Sequence, residues 1–283
     1  MRNALTFDVE DYFHVEAVAA SVSRADWGQF APRVEHNTRR IMDLLDVHRV
    51  AATFFVLGWV ADRHPALVRE IHARGHEVGC HSYEHRLVHS MKRSEFRDDV
   101  RRAKATIEDA AGTVVYGYRA PTFSVVESSL WALDILAEEG FEYDSSVFPI
   151  HHDRYGMPAA PRFPHRVRGG SGDIVEFPMT TLRVAGQRLP FCGGGYFRLL
   201  PYAAIRAGLR WINGRERQPG IVYLHPWELD PQHPDLPLRG LGRRRHYLNI
   251  KGTAGKLERM LRDFAFGAAR DVLRLQAAEG AIR

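Results

Sequence analysis

Short apolar runs alternate with amphipathic segments along most of the chain. Residues 50–56 are β-branched and aromatic, which predicts a buried strand. Residues 94–111 instead repeat apolar side chains at helical spacing, with Phe96, Val100 and Ile107 on one face. Strand and helix patterns that alternate in this way predict an α/β fold with a mostly parallel sheet.

The same patterns place the other elements. Strands are predicted at residues 3–7, 77–80, 114–118, 141–144, 174–178 and 220–224. Helices are predicted from a cap at Asn37 or Thr38 and at residues 65–74, 128–139, 201–213 and 254–264. Loops are predicted at residues 12–33, 150–172 and 230–252. No linker or repeat interrupts the pattern, so we expect one domain over residues 1–283, with a C-terminal extension at about residues 231–283.

Five polar residues come at the ends of predicted strands. They are Asp8, His81, Arg119, Asp144 and His225. In a parallel barrel the carboxyl ends of the strands form the face where catalytic groups gather. The sequence therefore predicts that these side chains lie near one another.

Composition and charge narrow the class of protein. The 283 residues have an ordinary globular composition, and no apolar run is long enough to span a membrane. The N-terminus enters a strand pattern without a signal peptide, so we expect a cytoplasmic protein. Cys80 and Cys192 form no disulfide framework or metal motif, and we interpret both as reduced, packed thiols.

The net charge of +5 comes from scattered basic residues, apart from Arg239 and the run Arg243, Arg244 and Arg245. Such a loop suits a nucleic acid, an anionic lipid surface or an acidic glycan, but a solvated surface loop is the simpler interpretation. No nucleic-acid-binding motif is present, so we expect no nucleic-acid partner.

Three carboxylates, Asp8, Glu10 and Asp11, fall within four positions at the end of the first strand. Like charges in a buried cluster repel one another, so a divalent cation is a natural partner. The alternative is an acidic strand end in which one carboxylate caps a helix or pairs with an arginine.

His81 and His85 are four residues apart, a spacing that puts both imidazoles on one face of a helical turn. Two histidines and one carboxylate make an open metal site suited to hydrolysis. The alternative is a pair of histidines on the surface or in the core. His89 continues the spacing, and we expect it either to support the ligands from outside the site or to be unrelated to it.

Arg119 and His225 complete the candidate chemistry. An arginine past a strand, before Pro121, can hold a carboxylate and orient it. A histidine past the last apolar strand, beside Trp227, is well placed as a general acid. The alternatives are a surface arginine before a turn and a histidine packed under a loop.

In their order, these blocks resemble the motifs of the carbohydrate esterase family 4 polysaccharide deacetylases, the NodB-homology fold. The matching stretches are Thr6-Phe7-Asp8-Val9-Glu10-Asp11, His81-Ser82-Tyr83-Glu84-His85, Arg119-Ala120-Pro121 and Leu224-His225. The resemblance covers roughly residues 3–230. The longer first motif, residues 7–14, and residues 245–247 are similar to a subgroup found with exosortase and exopolysaccharide loci, a less specific match.

The resemblance implies a distorted (β/α) barrel of about seven parallel strands that removes N-acetyl groups from the amino sugars of a glycan. It implies one divalent metal ion, with zinc expected and cobalt, nickel or manganese also fitting the ligands. His81 and His85 match the metal ligands, Asp8 the catalytic base, Arg119 the residue that orients it and His225 the general acid.

The first motif departs from the family pattern because Val9 replaces its second aspartate. The metal carboxylate is then Glu10 or Asp11. Strand alternation puts Asp8 and Glu10 on one face, which favours Glu10, whereas a bulge would favour Asp11.

Around the reacting atoms, Tyr118, Pro121 and Trp227 are the predicted substrate-binding residues, and the N–H of Tyr118 or Ala120 is the predicted oxyanion donor. Further aromatic candidates are Tyr12, Phe13, Phe123, Tyr196 and Phe197. The stretch from Phe191 to Arg198 is glycine-rich, which fits either close approach to a ligand or a flexible turn.

Two other functions remain open at this point. One is an amidase or cyclic-imide hydrolase on the same scaffold, and the other is a non-catalytic glycan-binding protein. For a deacetylase without a signal peptide, one hypothesis is action on a lipid-linked precursor at the inner membrane face. The arginine-rich loop at residues 239–245 would then contact anionic lipid. The sequence predicts no oligomeric state.

Overall fold

The computed structural model describes residues 1–152, 155–232, 234–278, 280 and 282. Its strands are β1 (Arg2–Val9), β2 (Thr53–Val56), β3 (Glu77–Cys80), β4 (Gly117–Tyr118), β5 (Tyr143–Asp144), β6 (His165–Arg168), β7 (Asp173–Glu176), β8 (Thr181–Val184), β9 (Gln187–Pro190), β10 (Ile221–Leu224) and β11 (Ala265–Gly267). Its α-helices are α1 (Val34–His48), α2 (Gly58–Arg63), α3 (Pro65–Ala73), α4 (Arg93–Ala111), α5 (Trp131–Glu138), α6 (Gly194–Leu199), α7 (Tyr202–Trp211), α8 (Gly240–Tyr247), α9 (Ile250–Asp263) and α10 (Ala269–Ala278).

One large sheet carries the fold, with strand order β10-β1-β2-β3-β4-β5-β7-β6. Every pair from β10 to β7 is parallel, and β6 adds an antiparallel edge. The strand β11 pairs in parallel with the first residues of β1. The predicted α/β fold with about seven parallel strands is therefore confirmed.

The far end of this sheet curves back towards β10. Thr180, which follows β7, accepts a hydrogen bond from the N–H of Ile221 at 2.6 Å and donates one to its carbonyl at 2.8 Å. A side chain thus takes the place of a ladder between β7 and β10. The carboxyl ends of the parallel strands face a common cavity because the sheet curls in this way.

The helices pack around the sheet and cover its apolar strands. Every residue of β1 after Arg2 is buried, and Phe7 stacks on Phe54 of β2 at a ring-centroid distance of 5.1 Å. Both cysteines are buried and free, as expected. Among the described helices, none combines the length and apolar character that crossing a membrane requires.

Several element boundaries differ from the predictions. Helix α1 begins at Val34, so a cap at Asn37 or Thr38 is wrong. The predicted loop at residues 150–172 contains β6, although residues 153 and 154 lie outside the described part of the chain. The predicted loop at residues 230–252 contains α8, with residue 233 likewise outside the described part. The hairpin of β8 and β9 was not expected.

Candidate active site

A cavity of about 170 Å³ opens where β1, β3 and β10 end. Among its lining residues are Asp8, Glu10, His81, His85 and His225. The first four are at most 4% exposed, whereas 18% of the His225 side chain is exposed. The topology thus collects residues separated by more than 200 positions at one edge of the sheet.

Glu10, His81 and His85 form a compact cluster within this cavity. One ligand atom from each lies within 4.8 Å of the other two. Oε2 of Glu10 is buried and lies 2.9 Å from Nε2 of His85. A buried carboxylate beside two imidazoles fits a divalent cation, because a buried negative charge needs a positive partner and these groups are common ligands of zinc.

The orientation of His81 supports the same interpretation. Its Nδ1 lies 2.8 Å from the carbonyl oxygen of Arg119, which fits a ring that donates Nδ1–H and leaves Nε2 for a ligand. Burial lowers the pKa of His81 to about 4, so the ring is neutral at physiological pH, as a metal ligand must be.

The charge on Glu10 is also maintained. Burial raises the pKa of a carboxyl group, but the neighbouring His85, His225 and His81 outweigh it and hold the pKa of Glu10 well below its usual range. The cluster therefore presents one carboxylate and two imidazole nitrogens.

The two histidines do not lie on a helical turn, and that part of the prediction is wrong. They belong to an irregular loop after β3 in which Ser82 and His85 have positive φ angles of 63° and 52°. The hydroxyl groups of Ser82 and Tyr118 are 2.6 Å apart. Arg24 donates to the carbonyl oxygens of Glu84 and His85 at 2.7 and 3.3 Å. These contacts hold an unusual backbone that directs both rings into the cavity.

Asp8 lies beside the cluster and is held by Arg119. Nη1 of Arg119 donates to Oδ1 of Asp8 and to the hydroxyl of Thr6, both at 2.7 Å. The other guanidinium nitrogens donate to the carbonyl and hydroxyl oxygens of Ser145 at 3.2 and 3.1 Å. Arg119 is fully buried, so this network fixes one oxygen of Asp8 and leaves Oδ2 towards the cavity.

Asp11 lies apart from the cluster, and the alternative of Asp11 as the metal carboxylate is corrected here. Its Oδ2 accepts the backbone N–H groups of Arg33 and Val34 at 2.6 and 2.9 Å, and its Oδ1 accepts that of Tyr12 at 3.0 Å. Oδ2 thus satisfies two backbone donors at the start of α1, and Oδ1 satisfies the donor of the neighbouring Tyr12. Burial raises the pKa of Asp11 to about 6 despite these hydrogen bonds.

His225 lies directly after β10, with Nε2 at 3.8 Å from Oδ2 of Asp8 and 3.5 Å from Oε1 of Glu10. Its Nδ1 lies 2.8 Å from Oε2 of Glu228. Burial alone would lower the pKa of His225, but the charge and hydrogen bond of Glu228, with Glu10 and Asp8, raise it to about 9. The ring is therefore an imidazolium at neutral pH and can donate a proton into the cavity.

Glu228 and Arg198 also line the cavity, although no sequence motif indicated them. Nε of Arg198 donates to Oε1 of Glu228 at 2.7 Å. Burial raises the pKa of Glu228, but Arg198 and His225 bring it down to about 2. The available signal for Glu228 was its position three residues after His225, where its carboxylate also accepts the backbone N–H of His225 at 2.9 Å.

Among the predicted substrate-binding residues, only Trp227 lines the cavity. The Tyr118 side chain is buried against Phe96 and Phe141, and Pro121 is buried without lining the cavity. The N–H of Ala120, a predicted oxyanion donor, already donates to the hydroxyl of Ser146 at 2.7 Å. The side chains of Tyr118 and Pro121 therefore lie outside the cavity lining and the N–H of Ala120 is already engaged, whereas the N–H of Tyr118 as oxyanion donor stays a prediction.

Phe123 lines the cavity beside Thr122, and these neighbours have positive φ angles of 52° and 55°. The glycine-rich stretch also reaches the cavity, through Gly194 and Gly195. A Cβ atom at the preceding Gly193 would lie 2.0 Å from Cδ1 of Tyr223, so this glycine is required for packing against β10. The backbone here approaches closely because side chains are absent.

Fold and site together define an α/β protein with a curved, mostly parallel sheet and a candidate Glu-His-His metal centre at the carboxyl ends of its strands. Residues 4–142 match the family model described as polysaccharide deacetylase. Residues 145–274 match a second model, described as a domain of unknown function, DUF3473. The first half of the chain is thus similar to the polysaccharide deacetylase family, as its motifs predicted.

Two curated relatives are similar to parts of the chain. A peptidoglycan-N-acetylglucosamine deacetylase of Bacillus cereus is 33% identical over 167 residues, which are 53% of this chain and 60% of the relative. A chitooligosaccharide deacetylase of a Bradyrhizobium species is 35% identical over 100 residues, 35% of this chain and 43% of the relative. The chain thus spans less than two thirds of the length of either relative.

Two solved structures share the fold over almost the whole chain. A putative polysaccharide deacetylase from Mycobacterium smegmatis superposes with a TM-score of 0.66 at 21% identity, covering 99% of this chain and 91% of the other. The Puue allantoinase superposes with a TM-score of 0.63 at 16% identity, covering 99% and 90%. At these identities the likeness concerns the fold alone.

Proposed function

We propose that this protein is a metal-dependent hydrolase that removes N-acetyl groups from the amino sugars of a polysaccharide and releases acetate. The observation that carries the proposal is the placement of Asp8 and His225 in one cavity with the Glu10, His81 and His85 cluster. A base, an acid and a set of metal ligands together are sufficient for metal-assisted hydrolysis of an unactivated amide.

Each residue has a definite part in this reaction. A divalent ion held by Glu10, His81 and His85 would supply a Lewis acid for the acetamide carbonyl. Asp8 accepts a proton from the attacking water through Oδ2, because Arg119 occupies its Oδ1. His225 donates a proton from Nε2 to the leaving nitrogen. A carbon–oxygen bond forms, the carbon–nitrogen bond breaks, and acetate and a free amine result.

Several features support a glycan as the substrate. Phe123, Tyr155 and Trp227 line the cavity and supply apolar surface beside the candidate catalytic groups. The curated relatives are named as deacetylases of peptidoglycan N-acetylglucosamine and of chitooligosaccharides. We propose zinc as the ion because two imidazoles and a carboxylate suit it, and elemental analysis of the purified protein tests this against cobalt, nickel and manganese.

We also propose that the protein acts in exopolysaccharide assembly, on a lipid-linked precursor at the inner face of the membrane. Arg243, Arg244 and Arg245 of α8 are exposed and suit an anionic surface. Co-sedimentation with anionic but not neutral vesicles, and loss of this binding in a variant with all three arginines changed to glutamine, would support the contact. A periplasmic location in cell fractionation would contradict it.

The main test measures acetate released from N-acetylglucosamine oligomers by the wild-type protein and by Asp8→Asn. We expect turnover by the wild type and a loss of about 10²- to 10⁴-fold in the variant, the usual contribution of a general base. Turnover of a cyclic imide without acetate from any acetylated glycan would favour the amidase alternative. The allantoinase shares only the fold with this chain. Glycan binding that Asp8→Asn leaves unchanged, with no turnover, would favour a binding protein.

A further inference from the structure

The candidate general acid is connected to the C-terminal part of the chain through two buried side chains. Glu228 is fully buried, and its carboxylate accepts both the backbone N–H of His225, at 2.9 Å, and Nε–H of Arg198, at 2.7 Å. The turn Pro226–Leu229 brings Glu228 back beneath the imidazole, at 2.8 Å from Nδ1.

Arg198 extends this connection to the end of α8. Its Nη1 donates to the carbonyl oxygens of His246 and Leu248 at 2.5 and 3.0 Å. The His246 ring also stacks on Trp227, with centroids 4.5 Å apart and planes 10° apart. Arg198 is only 4% exposed, so a single guanidinium satisfies both the Glu228 carboxylate and two carbonyl groups from the C-terminal segment.

We propose that Glu228 and Arg198 are positioning residues for His225, and that docking of residues 246–248 is required to hold the catalytic acid in place. Glu228 holds Nδ1 of the imidazole as a donor, which directs Nε2 towards Asp8. Arg198 holds Glu228 and also binds the carbonyl groups of residues 246 and 248, so the position of Glu228 depends on where this segment lies. The inference rests on the proposed function, because it names the residues that support the acid of that reaction.

A simple structural ion pair would give the same contacts, and leaving-group chemistry separates the two explanations. An amide nitrogen must be protonated as it leaves, whereas an aryl oxide leaves without help from an acid. Misplacing His225 therefore impairs amide hydrolysis more than aryl ester hydrolysis. Loss of folding lowers the concentration of active protein and so impairs both reactions to the same extent, and elemental analysis of each variant reports any loss of the bound ion.

The experiment compares Glu228→Gln and Arg198→Lys with the wild type on two substrates, N-acetylglucosamine oligomers and 4-nitrophenyl acetate. We expect kcat for the oligomers to fall about 10- to 100-fold, part of the usual contribution of a general acid, and the ratio of amide to ester turnover to fall at least about 10-fold. Arg162→Lys is the matched control. Arg162 is also a mostly buried arginine that binds a carboxylate, Glu216, and a carbonyl, Thr181, away from this cavity.

Equal losses on the two substrates, or a ratio that stays at the wild-type value, would overturn the inference. A wild-type protein that releases no acetate would instead overturn the proposed function, so the two failures are distinguishable. A second measurement uses only the oligomers: Glu228→Gln should cost little more in the His225→Ala background, since its effect passes through His225. Full additivity of the two changes would also contradict the inference.

Discussion

In the first half of the chain the backbone positions the candidate metal ligands, whereas in the second half a row of side chains positions His225. Glu10 follows β1, and His81 and His85 lie on a loop whose positive φ angles direct their rings inward. His225 instead depends on Glu228, Arg198 and two distant carbonyl groups. A short sequence motif is therefore enough to indicate the metal ligands, whereas the contacts that hold His225 form only when the whole chain has folded.

The largest effect should come from removing a metal ligand. We expect His85→Ala to lose its stoichiometric ion and to lose about 10³-fold or more in activity. Changes to residues around a ligand usually cost about 10- to 100-fold in metal affinity or activity, and removing the ligand itself should cost more. Elemental analysis and acetate release measure the two losses. His89→Ala is the control, since His89 is exposed and outside the cluster, and an equal loss of metal there would contradict the assignment.

Asp8→Asn should separate the base from the metal centre. We expect the variant to retain the ion, because Asp8 is not a member of the cluster, while kcat falls about 10²- to 10⁴-fold. Metal content and steady-state kinetics on the same preparation check both statements. Loss of the ion together with activity would show that Asp8 is a ligand rather than the base.

Asp11→Ala tests the other carboxylate of the first motif. The change removes the acceptor for two backbone N–H groups at the start of α1 and for that of Tyr12, and losing a helix cap costs about 0.5–2 kcal/mol. We expect a lower midpoint in urea and an unchanged metal content. A protein that keeps its stability but loses its ion would restore Asp11 as the ligand.

The smallest effect concerns Glu176, a fully buried residue whose carboxyl group is hydrogen-bonded to that of Asp144. Burial and the neighbouring Asp144 raise the pKa of Glu176 well above its usual value of 4.5. Folding therefore takes up a proton above about pH 4.5, and this group's contribution to stability falls as pH rises towards its raised pKa. Glu176→Gln removes the proton uptake.

We expect this variant to gain about 2–4 °C in Tm at pH 8, as a change near 1 kcal/mol would produce, and to gain less at pH 4.5. Thermal unfolding at the two pH values provides the measurement, with the exposed Glu127→Gln as control. A shift in Tm that is equal at both pH values would show that no proton is taken up.

The sequence predicted best those parts of the fold in which local pattern and tertiary burial agree. Helix α3 follows the predicted residues 65–74 within one residue, because Pro65 begins it and an apolar face continues through it. The small elements β6, β8, β9 and α8 were missed. In β6 and β9 no residue is fully buried, so these segments carry only a weak pattern of apolar residues and are held by tertiary contacts.

The candidate site shows the same division. The motifs located Asp8, Glu10, His81, His85 and His225 because parallel strands must end at a common face. They did not locate Glu228 or Arg198, because these residues are 30 positions apart and come into contact only in the folded state. The helical turn expected at residues 81–85 was wrong because spacing alone does not report left-handed backbone.

The pairing of β1 also orders the events of synthesis. Residues 4–7 pair with residues 221–224, and residues 2–4 pair with residues 265–267. A nascent chain therefore carries Asp8 on a strand with one open edge until β10 and β11 have been made. Such long-range pairing is slow, and an open strand edge is prone to pair wrongly. Asp8 and His225 meet only after β10 has paired with β1, so the candidate site is completed late in folding.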